Sequence, residues 1–168
     1  MTEPRPTDRR TFLQQAATAT AGAAAVTAMA RPAAAVDSKA VHQGGGDVIR
    51  VGLVGCGGRG NGAAINAMNA GPDVRIVAIG DLFEDSIKIS RQSLAKQRPD
   101  QFVVDDDHVF TGFDCYKKVI NSDIDVVLLA SPPHYRPAQI EEAVAAGKHI
   151  FAEKPIATDP AGGRRVMA

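Results

Sequence analysis

The sequence predicts an α/β fold, in which helices cover both faces of a doubly wound parallel sheet. Short runs rich in Val and Ile alternate with longer segments of helical periodicity, and a glycine-rich turn separates the first run from the first helix. Such alternation is typical of strand-helix-strand units, whose strands are buried on both faces and are therefore almost wholly apolar. The composition agrees, because 45% of the 168 residues are hydrophobic and 23% are charged, as in ordinary globular chains.

The segment before the fold has a different character. Residues 1–35 place Arg9 and Arg10 before an Ala/Thr-rich run and an A-x-A cleavage pattern, and this resembles a twin-arginine export signal. The run is shorter and less apolar than the roughly 20 residues of a membrane span, so no membrane anchor is expected after signal removal. We expect recognition by the twin-arginine export machinery and a periplasmic or otherwise exported protein, with an Ala-rich tail as the alternative. Residues 36–47 are interpreted as a flexible linker.

The elements of the domain follow in order over residues 48–157. Strands are predicted near residues 48–54, 74–80, 108–112, 125–130 and 148–152, and helices near 59–70, 83–97, 114–121 and 136–146. Apolar stripes predict a buried side on two of these helices, formed by Phe83, Ile87 and Leu94 in the second and by Ile140, Ala143 and Val144 in the fourth. A good N-cap before Pro160 then starts another helix, so residues 158–168 are interpreted as leading to a second domain that this chain lacks.

The turn after the first strand has the pattern G-x-G-x-x-G. Gly55 allows a sharp turn, Gly57 lets backbone N–H groups approach a pyrophosphate, and Gly60 lets the helix pack close to the sheet. The positive end of the helix dipole favours an anion at the same place. The predicted diphosphate-binding residues are Gly55, Cys56, Gly57, Gly58, Arg59 and Gly60. An ordinary strand-to-helix turn is the alternative, because glycine is frequent in this chain.

Asp81 ends the second predicted strand, about 20 residues after the last glycine of the turn, where dinucleotide-binding proteins carry an acid. Its carboxylate would accept hydrogen bonds from the adenosine ribose and repel a 2′-phosphate, so we expect NAD rather than NADP. The next cation, Lys88, lies about two helical turns further on. The alternative role of Asp81 is the N-cap of the following helix.

Two further strand ends carry polar residues. The fourth strand leads into a loop with Ser131, Pro132 and His134, and the fifth ends at Glu153 and Lys154. Since ligands collect at the carboxyl ends of parallel strands, all five residues are predicted to line the cofactor crevice. The Lys154 amine would hydrogen-bond a substrate hydroxyl and help to remove its proton as hydride leaves. The alternatives are a surface histidine and a surface Glu-Lys pair.

The remaining features exclude other classes of site. The formal net charge is zero, and no long basic block suggests a nucleic-acid partner. Cys56 and Cys115 do not form a zinc pattern or a disulfide framework, and residues 105–107 are interpreted as a solvated acidic loop, so no metal site is expected. A reactive thiol at Cys56 is the alternative to a small residue in a tight turn, whereas Cys115 is predicted to lie in the core.

Together the four motifs resemble the glucose-fructose oxidoreductase, inositol dehydrogenase and MocA (Gfo/Idh/MocA) family over residues 48–163. The element A-G-K-H-I-F-A-E-K-P, which ends at Pro155, is the most distinctive. The resemblance implies a nicotinamide-binding Rossmann domain followed by a substrate domain, and hydride transfer on sugars, polyols or related molecules. It implies that Lys154 is catalytic, and we expect Ser131 and Pro132 beside the nicotinamide ribose.

Two departures from the family pattern limit what the resemblance implies. Arg136 stands where many members carry a histidine, which affects the expected substrate contacts. The second domain, with its catalytic histidine and most sugar contacts, is not in this chain, so the chain alone is expected to be inactive. We predict an NAD(P)-dependent oxidoreductase. An NAD-dependent glycosidase with transient sugar oxidation and a non-catalytic nucleotide-binding fragment are the alternatives, and homo-oligomerisation of the full-length protein stays open.

Overall fold

Five parallel strands form the centre of the fold in the computed structural model, which describes residues 48–168. The strands are β1 (Ile49–Val54), β2 (Val74–Asp81), β3 (Val109–Thr111), β4 (Val126–Leu129) and β5 (His149–Ala152). Their order in the sheet is β3-β2-β1-β4-β5, so the connections run outward in both directions from β1 and β4. This confirms the doubly wound sheet and each predicted strand. The predicted export signal and linker lie outside the described residues.

The helices also lie where the sequence predicts them. They are α1 (Gly58–Ala70), α2 (Glu84–Gln97), α3 (Cys115–Ile120), α4 (Arg136–Ala145) and α5 (Pro160–Met167). The Asp159 side chain caps α5 by accepting a hydrogen bond from the Gly162 N–H at 2.7 Å. An ion pair between Arg165 and Glu141 joins α5 to α4.

The acidic loop contains a short 3-10 turn over Asp106–His108, which was not predicted. Arg91 donates a hydrogen bond to Asp106 at 2.8 Å, so the loop is partly ordered.

Apolar clusters cover both faces of the sheet. Leu53 packs into one cluster, with Ile76 and Leu94, whereas the next residue, Val54, packs into the other. Successive side chains of a strand point to opposite faces, and both residues are almost fully buried. A strand buried on both sides has no solvent-facing position, which explains why its sequence is continuously apolar.

Two of the predicted core residues are instead exposed. Phe83 is 65% exposed because its backbone is extended at the N-cap of α2, so it lies outside the helical periodicity that buries Ile87. Val144 is also 65% exposed. The buried side of α4 includes the polar residues Arg136 and Gln139, which shifts this face away from Val144. The prediction from apolar spacing was therefore wrong for Phe83 beside α2 and for Val144 on α4.

Candidate cofactor-binding site

A cleft of about 710 Å³ opens at the carboxyl ends of β1, β2 and β4. It lies where the strand order reverses, the usual ligand position in open α/β sheets. The predicted residues that line it are Gly55, Gly57, Arg59, Asp81, Ser131 and Pro132. Its apolar wall was not predicted and comes from Leu82, Phe83, Phe113, Tyr116 and Tyr135. A flat apolar ligand group would therefore meet aromatic surface beside the polar glycine turn.

Each glycine of the motif meets a different geometric demand. Gly55 has a φ of +96°, and a Cβ there would lie 2.6 Å from the backbone nitrogen of Ser131. A Cβ on Gly60 would overlap the carbonyl oxygen of Gly55, so α1 packs directly on the turn. By contrast, the Cβ position of Gly57 has no atom within 4 Å. The absent side chain at Gly57 thus leaves open space in front of the backbone amides.

The N-terminus of α1 has the character of an anion site. The first amides of a helix find no acceptor inside the helix. Within the described part of the chain, α1 has no side-chain cap and no acidic residue in its first turn. These amides and the helix dipole are therefore available to an anion, and a nucleotide diphosphate fits the cradle in charge and in hydrogen bonding.

Asp81 joins the glycine turn to the end of β2. One carboxylate oxygen, Oδ2, accepts a hydrogen bond from the Cys56 N–H at 2.6 Å, and Oδ1 accepts one from the Phe83 N–H at 2.9 Å. Because a carboxylate has about four acceptor positions, the group retains capacity for a ligand hydroxyl. The helix N-cap is Phe83, so the alternative role of Asp81 as the N-cap residue is wrong.

The Cys56 side chain points away from the cleft. It is 2% exposed, and its Sγ lies 3.6 Å from the carbonyl oxygen of Gly80. Burial, together with the nearby Asp81 charge, raises the pKa of the Cys56 thiol to about 12. The thiol is therefore protonated at neutral pH, which argues against the reactive-thiol alternative. Cys115 is buried as predicted, and burial raises its pKa to about 11.

An ion pair links the glycine turn to the end of β5. The Arg59 guanidinium contacts Oε1 of Glu153, whose side chain is only 6% exposed. The adjacent Arg59 guanidinium holds the pKa of the Glu153 carboxyl below its usual value, and the same contact raises the pKa of Arg59. Glu153 is therefore a charged anchor for the glycine turn, although it lies outside the lining of the cleft.

Arg136 reaches the same segment from the N-terminus of α4. Although charged, it is 5% exposed, and burial lowers the pKa of its guanidinium. Its Nη1 donates to the backbone carbonyls of Glu153 and Pro155, on either side of Lys154. The sequence indicated Arg136 only as a departure from the family pattern. An arginine beside the buried Pro137 and Ile140 was the available signal for a buried role.

The other predicted residues have more varied positions. The Ser131 hydroxyl donates to Oε1 of Gln139, and both residues are buried. His134 is exposed, stacks edge-to-face on Tyr135, and lines a separate cavity of about 270 Å³ beside α5. Lys154 is exposed and lines neither cavity. The structure thus brings together the glycine turn, Asp81, the Ser131 loop and, through Arg59, Glu153, but not His134 or Lys154.

Among residues 48–168, no cluster of three or more His, Cys, Asp or Glu side chains has the geometry of a metal site. None of the helices in this part of the chain combines the length and the apolar character needed to cross a membrane.

Comparison with protein families matches residues 49–168 to the Gfo/Idh/MocA oxidoreductases, which are described as having an NAD-binding Rossmann fold. The chain belongs to this family. The match confirms the resemblance drawn from the motifs, and the five-stranded sheet confirms the Rossmann-type fold.

Glycosyl hydrolases of family 109 and inositol 2-dehydrogenases are among the curated relatives. Glycosyl hydrolase family 109 protein 2 of Shewanella sp. (strain ANA-3) is 32% identical over 161 residues, covering 89% of this chain and 34% of its own length. Inositol 2-dehydrogenase of Agrobacterium fabrum is 31% identical over 121 residues, covering 71% of this chain and 32% of its own length. The chain thus spans about a third of the length of these relatives.

Solved structures of family members have a similar fold over the part that they share with this chain. Scyllo-inositol dehydrogenase of Lactobacillus casei, with bound NAD(H) and scyllo-inositol, has a TM-score of 0.57 and 26% identity, over 71% of this chain and 32% of that chain. The WlbA dehydrogenase of Bordetella pertussis, in complex with NADH and UDP-GlcNAcA, has a TM-score of 0.56 and 27% identity, over 73% of this chain and 32% of that chain.

Proposed function

We propose that this chain is the cofactor-binding part of an NAD-dependent oxidoreductase that transfers hydride to or from a sugar, a polyol or a related hydroxy compound. The observation that carries the proposal is the convergence of the uncapped N-terminus of α1 and the Asp81 carboxylate in one cleft. The amides of residues 57–60, with Arg59, would hold the diphosphate, and Asp81 would hold the adenosine ribose. The bound nicotinamide supplies the hydride acceptor or donor.

The choice of NAD over NADP rests on charge. Asp81 places a carboxylate where a 2′-phosphate would be, and repulsion there disfavours NADP. Lys88, the next cation along the chain, is paired with Glu84 at 2.9 Å on the exposed side of α2. A cation already paired with a carboxylate is a poor clamp for a 2′-phosphate, which supports NAD as the cofactor.

Lys154 is the residue proposed to handle the substrate proton. Its backbone follows β5, and Arg136 holds the carbonyls on both sides of it. The backbone on both sides of Lys154 is therefore held in place, and its amine would hydrogen-bond a substrate hydroxyl and accept or return its proton. Its exposure in this chain fits a role completed by a second domain of the full-length protein. The chain alone is therefore proposed to bind nucleotide without turnover.

A glycosidase is the second candidate, in which transient sugar oxidation precedes loss of the aglycone and bound NAD is regenerated. The observation in its favour is the length of the match to the family 109 protein, which covers 89% of this chain against 71% for the inositol dehydrogenase. A tightly held, internally recycled cofactor suits the proposed export of a folded protein by the twin-arginine route. Product analysis of the full-length protein with an aryl glycoside separates the candidates: release of aryl alcohol without net NADH indicates the glycosidase.

The test of nucleotide binding uses the 168-residue chain itself. Isothermal titration with NAD and NADP is expected to give saturable binding, tighter for NAD. A correctly folded chain that gives no saturation with either nucleotide would refute the proposal. Turnover of any sugar by this chain alone would show that the second domain is dispensable.

A further inference from the structure

We propose that Glu153 is a positioning residue for the nucleotide diphosphate: it fixes the Arg59 guanidinium at the N-terminus of α1 and thereby couples nucleotide binding to the segment that carries Lys154. This inference rests on the proposed nucleotide-binding function. From the sequence, Glu153 is predicted to line the crevice as a direct contact, whereas in the structure it contacts Arg59 and lies outside the lining of the cleft.

The ion pair between Arg59 and Glu153 crosses the end of one strand of the sheet. Arg59 lies in the first turn of α1, after β1, whereas Glu153 follows β5. Strand β4 lies between these two strands. Neighbouring strands are about 4.8 Å apart, so the pair crosses about 10 Å over the end of β4. It connects the first turn of α1 to the segment after β5, on the same edge of the sheet as the cleft, although β1 and β5 are not paired.

The difference in burial of the two partners determines which of them serves the ligand. The Glu153 side chain is 6% exposed, and a buried carboxylate left without its cation is strongly unfavourable. The Arg59 side chain is 63% exposed, and its Nη2 contacts Glu153. A guanidinium has five N–H donors in a planar fork, so the remaining donors can bind a diphosphate while the ion pair persists. Nucleotide is therefore expected to add to the pair and not to displace it.

The segment behind Glu153 has a second support. Arg136 donates to the carbonyls of Glu153 and Pro155, so the residues around Lys154 are tied to α4 as well as to α1. A ligand that immobilises Arg59 thus restrains Glu153, and through it the backbone of Lys154. Since coupling between two sites is reciprocal, fixing this segment must also favour nucleotide binding by the same factor.

The first experiment is a double-mutant cycle on NAD affinity, with the 168-residue chain and variants R59A, E153Q and R59A/E153Q. Loss of a charged hydrogen bond predicts about tenfold weaker binding for R59A, with a several-fold loss for E153Q. The double variant is expected to be no weaker than R59A, because Glu153 acts through Arg59. The control is E141Q, which breaks the exposed pair between Glu141 and Arg165, away from the cleft.

Two results of the double-mutant cycle would overturn the inference. Equal or tighter NAD binding by E153Q would overturn the inference, since it would make Glu153 a competitor for Arg59 or a bystander. Additive losses in the double variant would also overturn it. If the unsubstituted chain binds no NAD, the proposed function fails first, which keeps the two failures distinct.

Hydrogen exchange of residues 152–157 tests the coupling directly. Saturating NAD is expected to slow exchange in the unsubstituted chain and in E141Q, but not in E153Q. Equal protection in E153Q would refute the coupling. E153Q leaves only the exposed Arg59 without its partner, so this variant is expected to fold. If R59A does not fold, because it leaves the buried Glu153 carboxylate unpaired, R59A/E153Q removes both charges and provides the same comparison. Either variant at saturating NAD is expected to lose the protection, and its retention would be equally decisive against the inference.

Discussion

The Oδ2 atom of Asp81 accepts a hydrogen bond from the backbone N–H of Cys56 at 2.6 Å, which joins the acid at the end of β2 to the glycine turn after β1. A hydrogen bond to an ionised carboxylate is stronger than one between neutral groups. Asp81 thus orients the turn in addition to its proposed contact with the ribose. Loss of this side chain should affect both the shape of the turn and the choice of nucleotide.

D81A is expected to weaken NAD binding by about tenfold, because ribose hydrogen bonds to a charged acceptor are lost. NADP should lose less affinity than NAD, or gain some, since the carboxylate no longer repels the 2′-phosphate. Titration of both nucleotides measures the ratio. D106A, which removes an exposed aspartate of the acidic loop, is the control. Unchanged NAD affinity in D81A would remove Asp81 from the site.

G60A and G62A form a matched pair within α1. A Cβ on Gly60 would overlap the Gly55 carbonyl, whereas the Cβ position of Gly62 has no atom within 4 Å. We expect G60A to destabilise the chain by about 2 kcal/mol or more through steric overlap. G62A should be more stable by roughly 0.5–1 kcal/mol, because alanine favours the helix. Thermal or urea unfolding tests both, and similar values for the two variants would contradict the packing described for Gly60.

D125N tests an ion pair at the opposite end of the sheet from the cleft. Asp125 accepts hydrogen bonds from the Arg50 N–H at 2.8 Å and from Arg50 Nη2 at 2.9 Å. These bonds hold the pKa of Asp125 below its ordinary value of 3.8. The folded state therefore binds protons less readily, so the stabilisation is complete above pH 3.8 and declines as the pH falls below it.

The variant should lose about 1 kcal/mol of stability at neutral pH, since the pair is partly exposed and screened by solvent. Urea unfolding from pH 7 to pH 3 should show the gap between D125N and the unsubstituted chain narrowing at the acid end. A gap that widens there would contradict the assigned shift. NAD affinity should not change, because the pair lies far from the strand ends that form the cleft.

K154A distinguishes a role of Lys154 in proton transfer from a role in NAD binding. Because Lys154 is exposed and outside the cleft, its loss should weaken NAD binding by this chain less than R59A does. In the full-length protein the same substitution should lower kcat by about 10²-fold or more, as expected for a general acid or base. K117A, on α3, serves as the control. Full activity of K154A would rule out the proposed proton transfer.

If residues 1–35 are a twin-arginine signal, export of the protein requires Arg9 and Arg10. Replacing Arg9 and Arg10 by lysine keeps the charge but should retain the protein in the cytoplasm. Cell fractionation, with a cytoplasmic marker as reference, measures the distribution. Export of the double-lysine variant at the normal level would refute the twin-arginine signal.

Local signals made the fold predictable. Leu53 and Val54 are apolar because both faces of β1 are covered, and the glycine turn has the geometry that its three glycines imply. The sequence also located the Asp159 cap of α5 correctly. In each case the information lies within a few residues of the feature, so no knowledge of distant contacts was needed.

The errors arose where distant parts of the chain meet. Phe83 fits an apolar stripe but lies in an extended N-cap, and neither its exposure nor its place in the cleft wall follows from helical spacing. The contacts of Arg59 with Glu153, and of Arg136 with the same segment, depend on β5 lying next to β4. Pairing of strands distant in sequence is set by the whole sheet, so these contacts could not be read from the local pattern.

Burial of the Cys56 and Cys115 thiols affects how readily they would be oxidised. This matters in an oxidising compartment, which the export hypothesis implies. Cys56 is 2% and Cys115 6% exposed, and their pKa values are raised to about 12 and about 11. Since oxidants and disulfide exchange act on thiolates, hardly any reactive sulfur is present at neutral pH. In such a compartment, burial and the raised pKa values would therefore slow oxidation of both cysteines.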